Sequence, residues 1–399
     1  MKGMAKKNPD RATAHPWSIR TANSVIERRA PMSVQWHYEN GVILKAIEHV
    51  WRKTGDARYW NFIKETVDQF ITPEGDIRTY TIVEYNLDQV NLGKMLFPVY
   101  KKTGDERYRH AINLLREQLR WQPRTTDRGF WHKHIYLYQM WLDGIYMAGP
   151  FYAEFASTFD DLAAFDDVAH QLILIEKHTR DPKTGLLYHG WDESKKQRWA
   201  NPETGQSPHF WGRAIGWYVM AIVDVLDYFP ADHAKRGEII AIFQRLVDAL
   251  SKVQDQSTGT WYQILDLPNR PGNYLEASAS SMFVYAIAKA IRKGYLDQKY
   301  LAMAQLGYQG ILDRFVQVDA LGLVNLLWTC GGAGLGGNPY RDGSFEYYVG
   351  ERIVTNDYKG LGPFIMASVE MEKEVDADTK HTNVHMAKNV KELIDKLDS

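Results

Sequence analysis

Thr54-Gly55-Asp56-Ala57-Arg58-Tyr59 returns as Thr103-Gly104-Asp105-Glu106-Arg107-Tyr108, 49 residues further on. The flanks repeat with it: Val50-Trp51-Arg52-Lys53 precedes the first copy and Val99-Tyr100-Lys101-Lys102 the second. Each copy lies between apolar segments of helical period. Val42, Ile43, Ala46, Ile47, Val50 and Trp51 come before the first, and Tyr59, Phe62, Ile63, Val67 and Phe70 after it. Offsets of three and four place such residues on one face of a helix. Gly55 and Gly104 can end the first helix in the left-handed conformation, and Asp56 and Asp105 can cap the second. The repeated unit is a helical hairpin with a short polar turn.

Weaker copies follow. One runs from Gly144 to His178 with its turn at Thr158-Phe159-Asp160-Asp161, and another from Trp211 to Val253 with a turn at Phe229-Pro230-Ala231-Asp232. A third runs from Leu275 to Phe315 around Lys293-Gly294-Tyr295-Leu296-Asp297. Lone helical segments near Ser18 to Arg29 and Gly362 to Glu374 remain. Five hairpins plus an unpaired first and last helix make twelve helices, and the two unpaired ones can pair only if the chain closes on itself. The expected fold is all-α, an (α/α)6 barrel spanning residues 1–399 as a single domain. Val384, Ala387, Val390, Leu393 and Leu397 add a short C-terminal amphipathic appendage from about residue 384. The alternative is an open helical solenoid, but such an array needs polar end caps and none is evident.

The turns inside the hairpins are short. The connections between them, such as Thr125 to Tyr138, Asp181 to Pro208 and Ala320 to Asp357, are long and rich in glycine and aromatics. One rim therefore carries the elaborated loops on which function resides.

Charge and composition narrow the function. Lys+Arg number 48 against 49 Asp+Glu, a net charge of −1, which argues against a polyanion-binding surface and so against nucleic acid. The single cysteine, Cys330, excludes a disulfide framework or a thiolate zinc cluster. There is no early apolar stretch of signal-peptide length and no run long enough to span a membrane, so a cytoplasmic protein without membrane contact is expected. The 13 tryptophans and 23 tyrosines are many for a plain helical scaffold, and flat rings with a polar edge suit a ligand pocket.

The candidate chemistry falls in the long segments or at the helix starts beside them. Asp88 in Glu84-Tyr85-Asn86-Leu87-Asp88-Gln89 and Asp143 in Tyr138-Gln139-Met140-Trp141-Leu142-Asp143-Gly144 each open an inner helix. Helix capping is the bland reading of either. Met140, Trp141, Tyr146 and Met147 surround Asp143, and burial among them would keep its carboxyl protonated, with a neighbouring Asp88 pushing the same way. One carboxyl then serves as general acid while the other stays charged. His132-Lys133-His134, if extended, points both histidines to one face, but no carboxylate or thiolate stands at metal-ligand spacing. Sugar and carboxylate recognition by His132 or Lys133 is the better reading, and no metal or cofactor is expected. His189 is either a pocket or a structural histidine. In Phe210-Trp211-Gly212-Arg213-Ala214-Ile215-Gly216-Trp217, Trp211 can stack on a sugar and Arg213 can fork a carboxylate, or the pair is core tryptophan plus internal ion pair. Gly332, Gly334 and Gly337 spell a G-x-G-x-x-G, but Asn338-Pro339 follows and no βαβ unit surrounds it, so the loop is read as an anion nest or a flexible loop.

Taken together, these segments resemble the unsaturated rhamnogalacturonyl hydrolases, glycoside hydrolase family 105. Gly129-Phe130-Trp131-His132-Lys133, Tyr138 to Gly144, Gly149-Pro150-Phe151, Tyr188-His189-Gly190-Trp191-Asp192-Glu193, Arg213 to Tyr218 and Thr355-Asn356-Asp357 carry the resemblance, which extends from about Trp36 to Glu370. It implies an (α/α)6 barrel and a metal-free intracellular enzyme. The implied substrates are lyase-generated oligosaccharides, pectic in origin, ending in a 4,5-unsaturated uronic acid. It also implies Asp143 as catalytic acid/base, Asp88 as assisting carboxylate, and His132, His189, Trp211 and Arg213 at pocket positions. Lys133, Trp141 and Trp217, in the same motifs, are taken as substrate-binding with them. A monomer or weak homo-oligomer is expected. The competing readings are a conventional inverting glycosidase, an unsaturated glucuronyl hydrolase acting on another polysaccharide, a non-catalytic carbohydrate-binding toroid, and a helical scaffold for protein partners.

Overall fold

Both strong repeats fold as hairpin turns. In the computed structural model, which describes residues 15–28 and 33–373, Gly55 and Gly104 adopt φ of 71° and 67° and end their helices. Asp56 and Asp105 accept hydrogen bonds from the N–H groups of Arg58 and Arg107 and start the next ones. The expected appendage from about residue 384 lies outside the described residues.

The outer helices are α1 (Trp17–Arg28), α3 (Ala57–Asp68), α5 (Glu106–Trp121), α7 (Leu162–Thr179), α9 (Arg236–Lys252) and α11 (Leu301–Arg314). The inner ring comprises α2 (Tyr38–Thr54), α4 (Leu96–Thr103), α6 (Leu142–Thr158), α8 (Gly212–Val225), α10 (Ala277–Arg292) and α13 (358–373), with a short α12 (Phe345–Gly350) in the last long connection. An outer helix such as α5 buries one stripe, Tyr108, Ala111, Ile112, Leu115 and Leu119. Every residue of α8 is buried, which fits a helix enclosed on all sides.

The ring closes where the chain's two lone helices meet. The Ser18 N–H of α1 donates to Glu372 of α13 at 3.0 Å. On the inside, α13 lies so close to α2 that a Cβ on Gly362 would stand 2.6 Å from Val42. Arg292 of α10 pairs with Glu370 at 2.5 Å on the other flank. This is the six-hairpin α/α toroid.

One inner element differs from expectation. Asp88 does not open an α-helix; Leu87–Met95 is a 3-10 stretch that runs into α4. Asn91 and Gly93 are weak α-formers, and a Cβ on Gly41 would lie 2.8 Å from the Leu92 Cα, so α2 and this stretch meet almost backbone to backbone. No helix among the described residues is long and apolar enough to cross a membrane.

Candidate active site

The six inner elements, five α-helices and the 3-10 stretch that leads into α4, begin at the rim with the long connections. A two-stranded ribbon, β1 (Gln139–Trp141) antiparallel to β2 (Gly190–Asp192), braces that rim and pairs Trp141 with Gly190. The Leu142 N–H donates to the His189 carbonyl at 3.0 Å. This backbone bond fixes His189 beside Asp143, the second residue of α6. Asp143 Oδ2 faces His189 Nε2 at 3.1 Å, and the Asp143 side chain is 13% exposed. His189 is fully buried, and its Nδ1 meets the Tyr348 hydroxyl at 2.8 Å. Asp143, His189 and Tyr348 therefore form one chain of polar contacts.

Asp88 occupies a different environment. Asn86, not Asp88, caps its segment by accepting from the Asp88 N–H. The Asp88 carboxylate is left to meet Lys133 Nζ at 2.6 Å and His132 Nε2 at 3.5 Å. Burial favours the neutral acid, but the Lys133 ammonium outweighs it and holds Asp88 below the ordinary aspartate range. Burial pulls on Lys133 in the opposite sense, and Asp88 likewise wins, keeping the amine above its usual value. The pair is ionised.

His132 lies between the two carboxylates. Its Nδ1 sits where a side chain at position 144 would begin: a Cβ on Gly144 would be 2.9 Å away. The glycine after Asp143 is thus required by the histidine packed on the helix start. Burial lowers His132 to about 4, so the ring is neutral. It stacks on Trp141 at 4.5 Å, and Tyr136 stacks on the same indole at 4.6 Å. His134 is exposed, because 132–136 is a turn and not a strand, so the two histidines do not share a face. Among the described residues no group of three histidine, cysteine or carboxylate side chains could hold a metal.

Arg213 is fully buried on α8. Its Nε donates to Ser278 at 2.8 Å, and its Nη2 donates to the Cys330 carbonyl and lies 3.5 Å from Glu276. The expected two-pronged grip on a ligand carboxylate is corrected: the protein occupies one edge, and only Nη1 is without a partner. Trp211 donates to Gln263 at 3.1 Å and packs against His189 at 4.8 Å; it is buried, so it backs the histidine and leaves no open ring face for the expected sugar stacking. Trp217 stacks on Tyr146 at 4.9 Å and is 1% exposed, so it is enclosed in the floor and offers no open ring face. The anion nest is also corrected. The glycine loop wraps Arg341, whose Nε donates to Gly336 at 2.8 Å and whose Nη2 donates to Tyr136 at 2.7 Å, and a Cβ on Gly334 would collide with its guanidinium at 2.1 Å. The N–H groups of Gly334 and Gly336 are bonded within the protein.

Tyr348, Tyr136 and Arg341 escaped the sequence reading. Tyr348 lies on the six-residue α12, too short to show a period. The crowding of glycines around Arg341 was the one signal for it, and was read for an external partner instead of an internal one.

Two carboxylates set among aromatics at the helix-start rim of an α/α toroid define a glycoside hydrolase. The model of glycosyl hydrolase family 88 matches residues 12–375. A solved glycoside hydrolase of family 105 from C. acetobutylicum ATCC 824 is 48% identical, covers 90% of this chain and 100% of its own, and superposes with a TM-score of 0.89. The unsaturated rhamnogalacturonyl hydrolase YesR of Bacillus subtilis (strain 168) is 27% identical over 295 residues, which are 72% of this chain and 79% of that protein. The unsaturated glucuronyl hydrolase of Bacillus sp. GL1 shares the fold at a TM-score of 0.67 and 12% identity, over 90% of this chain and 96% of its own. The chain belongs to glycoside hydrolase family 105, one of the unsaturated-uronyl hydrolase families together with family 88.

Proposed function

We propose that this enzyme releases the 4,5-unsaturated uronic acid from the non-reducing end of lyase-generated rhamnogalacturonan oligosaccharides, by adding water across the C4=C5 double bond. The observation that carries the reading is the unequal setting of the two carboxylates. Asp88 is ionised against Lys133. Asp143, among the described residues, has no lysine or arginine within ion-pairing distance and faces only His189. Such a pair divides into a proton donor and a fixed negative charge.

The chemistry follows from the substrate. The double bond is an enol ether, so C4 is electron-rich. Asp143 delivers its proton to C4, and positive charge develops at C5 and the ring oxygen. The ionised Asp88 favours that charge electrostatically. Asp143, now a carboxylate, takes a proton from the water that adds at C5. The resulting hemiketal opens and expels the neighbouring sugar. The N-termini of five inner α-helices directed at this rim, with the nearby Lys133, create a field that suits the substrate carboxylate. Tyr136, partly exposed and backed by the buried Trp141, supplies a flat face along which a sugar ring can lie. Rhamnose as the neighbouring sugar is supported by the family resemblance and by the name of the B. subtilis relative. The same resemblance supports an intracellular place of action.

Loss of ultraviolet absorbance by the unsaturated ring reports turnover. Asp143→Asn should bind substrate and lose roughly 10²–10⁴-fold in rate. Turnover in deuterium oxide should place deuterium at C4, whereas direct hydrolysis of the glycosidic bond would leave C4 unlabelled and the double bond intact. Lyase products ending in rhamnose should be consumed faster than those ending in glucose or an amino sugar.

A further inference from the structure

At the other end of the barrel, where the inner helices finish, lies a second cavity of about 460 Å3 to which all six contribute. Nine lysines and arginines and five carboxylates line it. Most are matched: Lys45 with Glu48 at 2.8 Å, Lys101 with Glu154 at 3.0 Å, Lys289 with Asp224 at 2.6 Å, Arg292 with Glu370 at 2.5 Å. Helix C-termini favour cations, which accounts for the basic residues in the last turns. It does not account for Lys94, which sits in the middle of the inner element, in the 3-10 stretch before α4.

Lys94 is 1% exposed, and its Nζ has no hydrogen-bond partner. It lies 3.9 Å over the ring of Tyr146, and burial brings the amine down to about 7. On the same cavity wall, Asp224 Oδ1 takes the Tyr285 hydroxyl and Lys289, each at 2.6 Å, while Oδ2 has no partner. One buried donor and one buried acceptor thus stand unanswered in a single space, and buried polar groups are rarely left so. The stacked Tyr146 and Trp217 lie between this space and Asp143 along the inner helices.

We propose that this rear cavity is a second binding site, for a small polyhydroxy acid whose carboxylate meets Lys94 and whose hydroxyl donates to Asp224 Oδ2. A bare anion would answer Lys94 and face the Asp224 carboxylate without a donor. A neutral polyol would bring Lys94 no anion to favour its charged form. The volume falls within the roughly 300–1,000 Å3 of small-molecule sites.

The test is calorimetric titration of the full-length protein with gluconate, with acetate and sorbitol as the arms lacking hydroxyls or charge. Gluconate should bind at least about tenfold more tightly than either. Lys94→Met and the isosteric Asp224→Asn should each weaken gluconate by about tenfold or more, while turnover of the unsaturated substrate, which also certifies folding, stays near wild type. No gluconate binding to the wild type overturns the proposal. So does binding that both variants retain in full, which would belong to the front site, or acetate matching gluconate.

Discussion

Replacing Lys133 by methionine isolates the electrostatics of the front site. The Lys133–Asp88 contact is 2.6 Å, with side-chain exposures of 22% and 17%. At an effective dielectric of about 20 the bare attraction is roughly 6 kcal/mol. Desolvation of both groups and their residual access to water offset much of it, leaving about 1.5–3 kcal/mol for a charge-assisted bond of this kind. At 1.36 kcal/mol per unit, the Asp88 carboxyl should rise by about 1–2 pH units. Burial, opposed in the wild type, would then dominate, because the neutral His132 gives little help. The acid limb of kcat/KM against pH, read by loss of the unsaturated chromophore, should move up by the same amount. Stability follows the same sign. In the wild type the depressed Asp88 contributes stability above the unfolded aspartate value and loses it as pH falls through the folded value. In the variant burial holds that carboxyl above its unfolded value, so the protein should instead lose stability as pH climbs from the unfolded aspartate value through the raised folded one. Lys133→Arg should restore both profiles. An acid limb that stays in place in a folded Lys133→Met protein would refute the assignment of Asp88 as the permanently charged partner.

Three further outcomes follow from the geometry. Tyr348→Phe removes the hydroxyl at His189 Nδ1 and should lower kcat by about fivefold, the value of roughly 1 kcal/mol, with KM nearly unchanged; an equal fall in binding and none in kcat would place Tyr348 in substrate recognition. Gly144→Ala sets a methyl 2.9 Å from His132 and should cost about 1–3 kcal/mol in chemical denaturation together with most of the activity; a fully active, fully stable variant would show that the helix start yields without displacing the ring. Glu370→Leu strips the partner from Arg292 and Lys373 at the barrel seam and should destabilise by about 2–3 kcal/mol, below the range for fully buried pairs because both cations can turn to water; an unchanged midpoint in urea would remove this ion cluster from the list of what holds the ring shut.

Gly55 with Asp56, and Gly104 with Asp105, announced the hairpins because a helix end and a helix start impose local backbone demands that few residues meet. The outer helices were readable for a related reason: each shows water one face and protein the other, so its apolar residues recur. The inner helices leave no such stripe. Helix α8 is buried from Gly212 to Val225, and in the sequence it is marked by the Phe229-Pro230-Ala231-Asp232 turn that closes its hairpin, not by a periodicity of its own. Asp88 and Asp143 stood out by chemical type among aromatics, and both lie at the predicted rim. What type could not convey was partnership. The Ser278, Glu276 and Cys330 that enclose Arg213 come from distant segments, as does the Tyr348 that touches His189. Contacts of that range depend on how the toroid curls, and a linear reading has no access to the curvature. The same holds for Arg341, whose glycine cradle looks from the chain alone like a socket for something foreign.

The seam between α1 and α13 joins Ser18 to Glu372 across 354 positions of chain. A ribosome producing this protein must therefore pass every other helix of the barrel before the final stave of the inner wall exists. Until then α2 and α10 present bare apolar flanks to the cell, as slow, non-local folds do. Early hairpins can collapse as they emerge, but the catalytic rim, which draws on every inner helix, comes into being only when the last one docks.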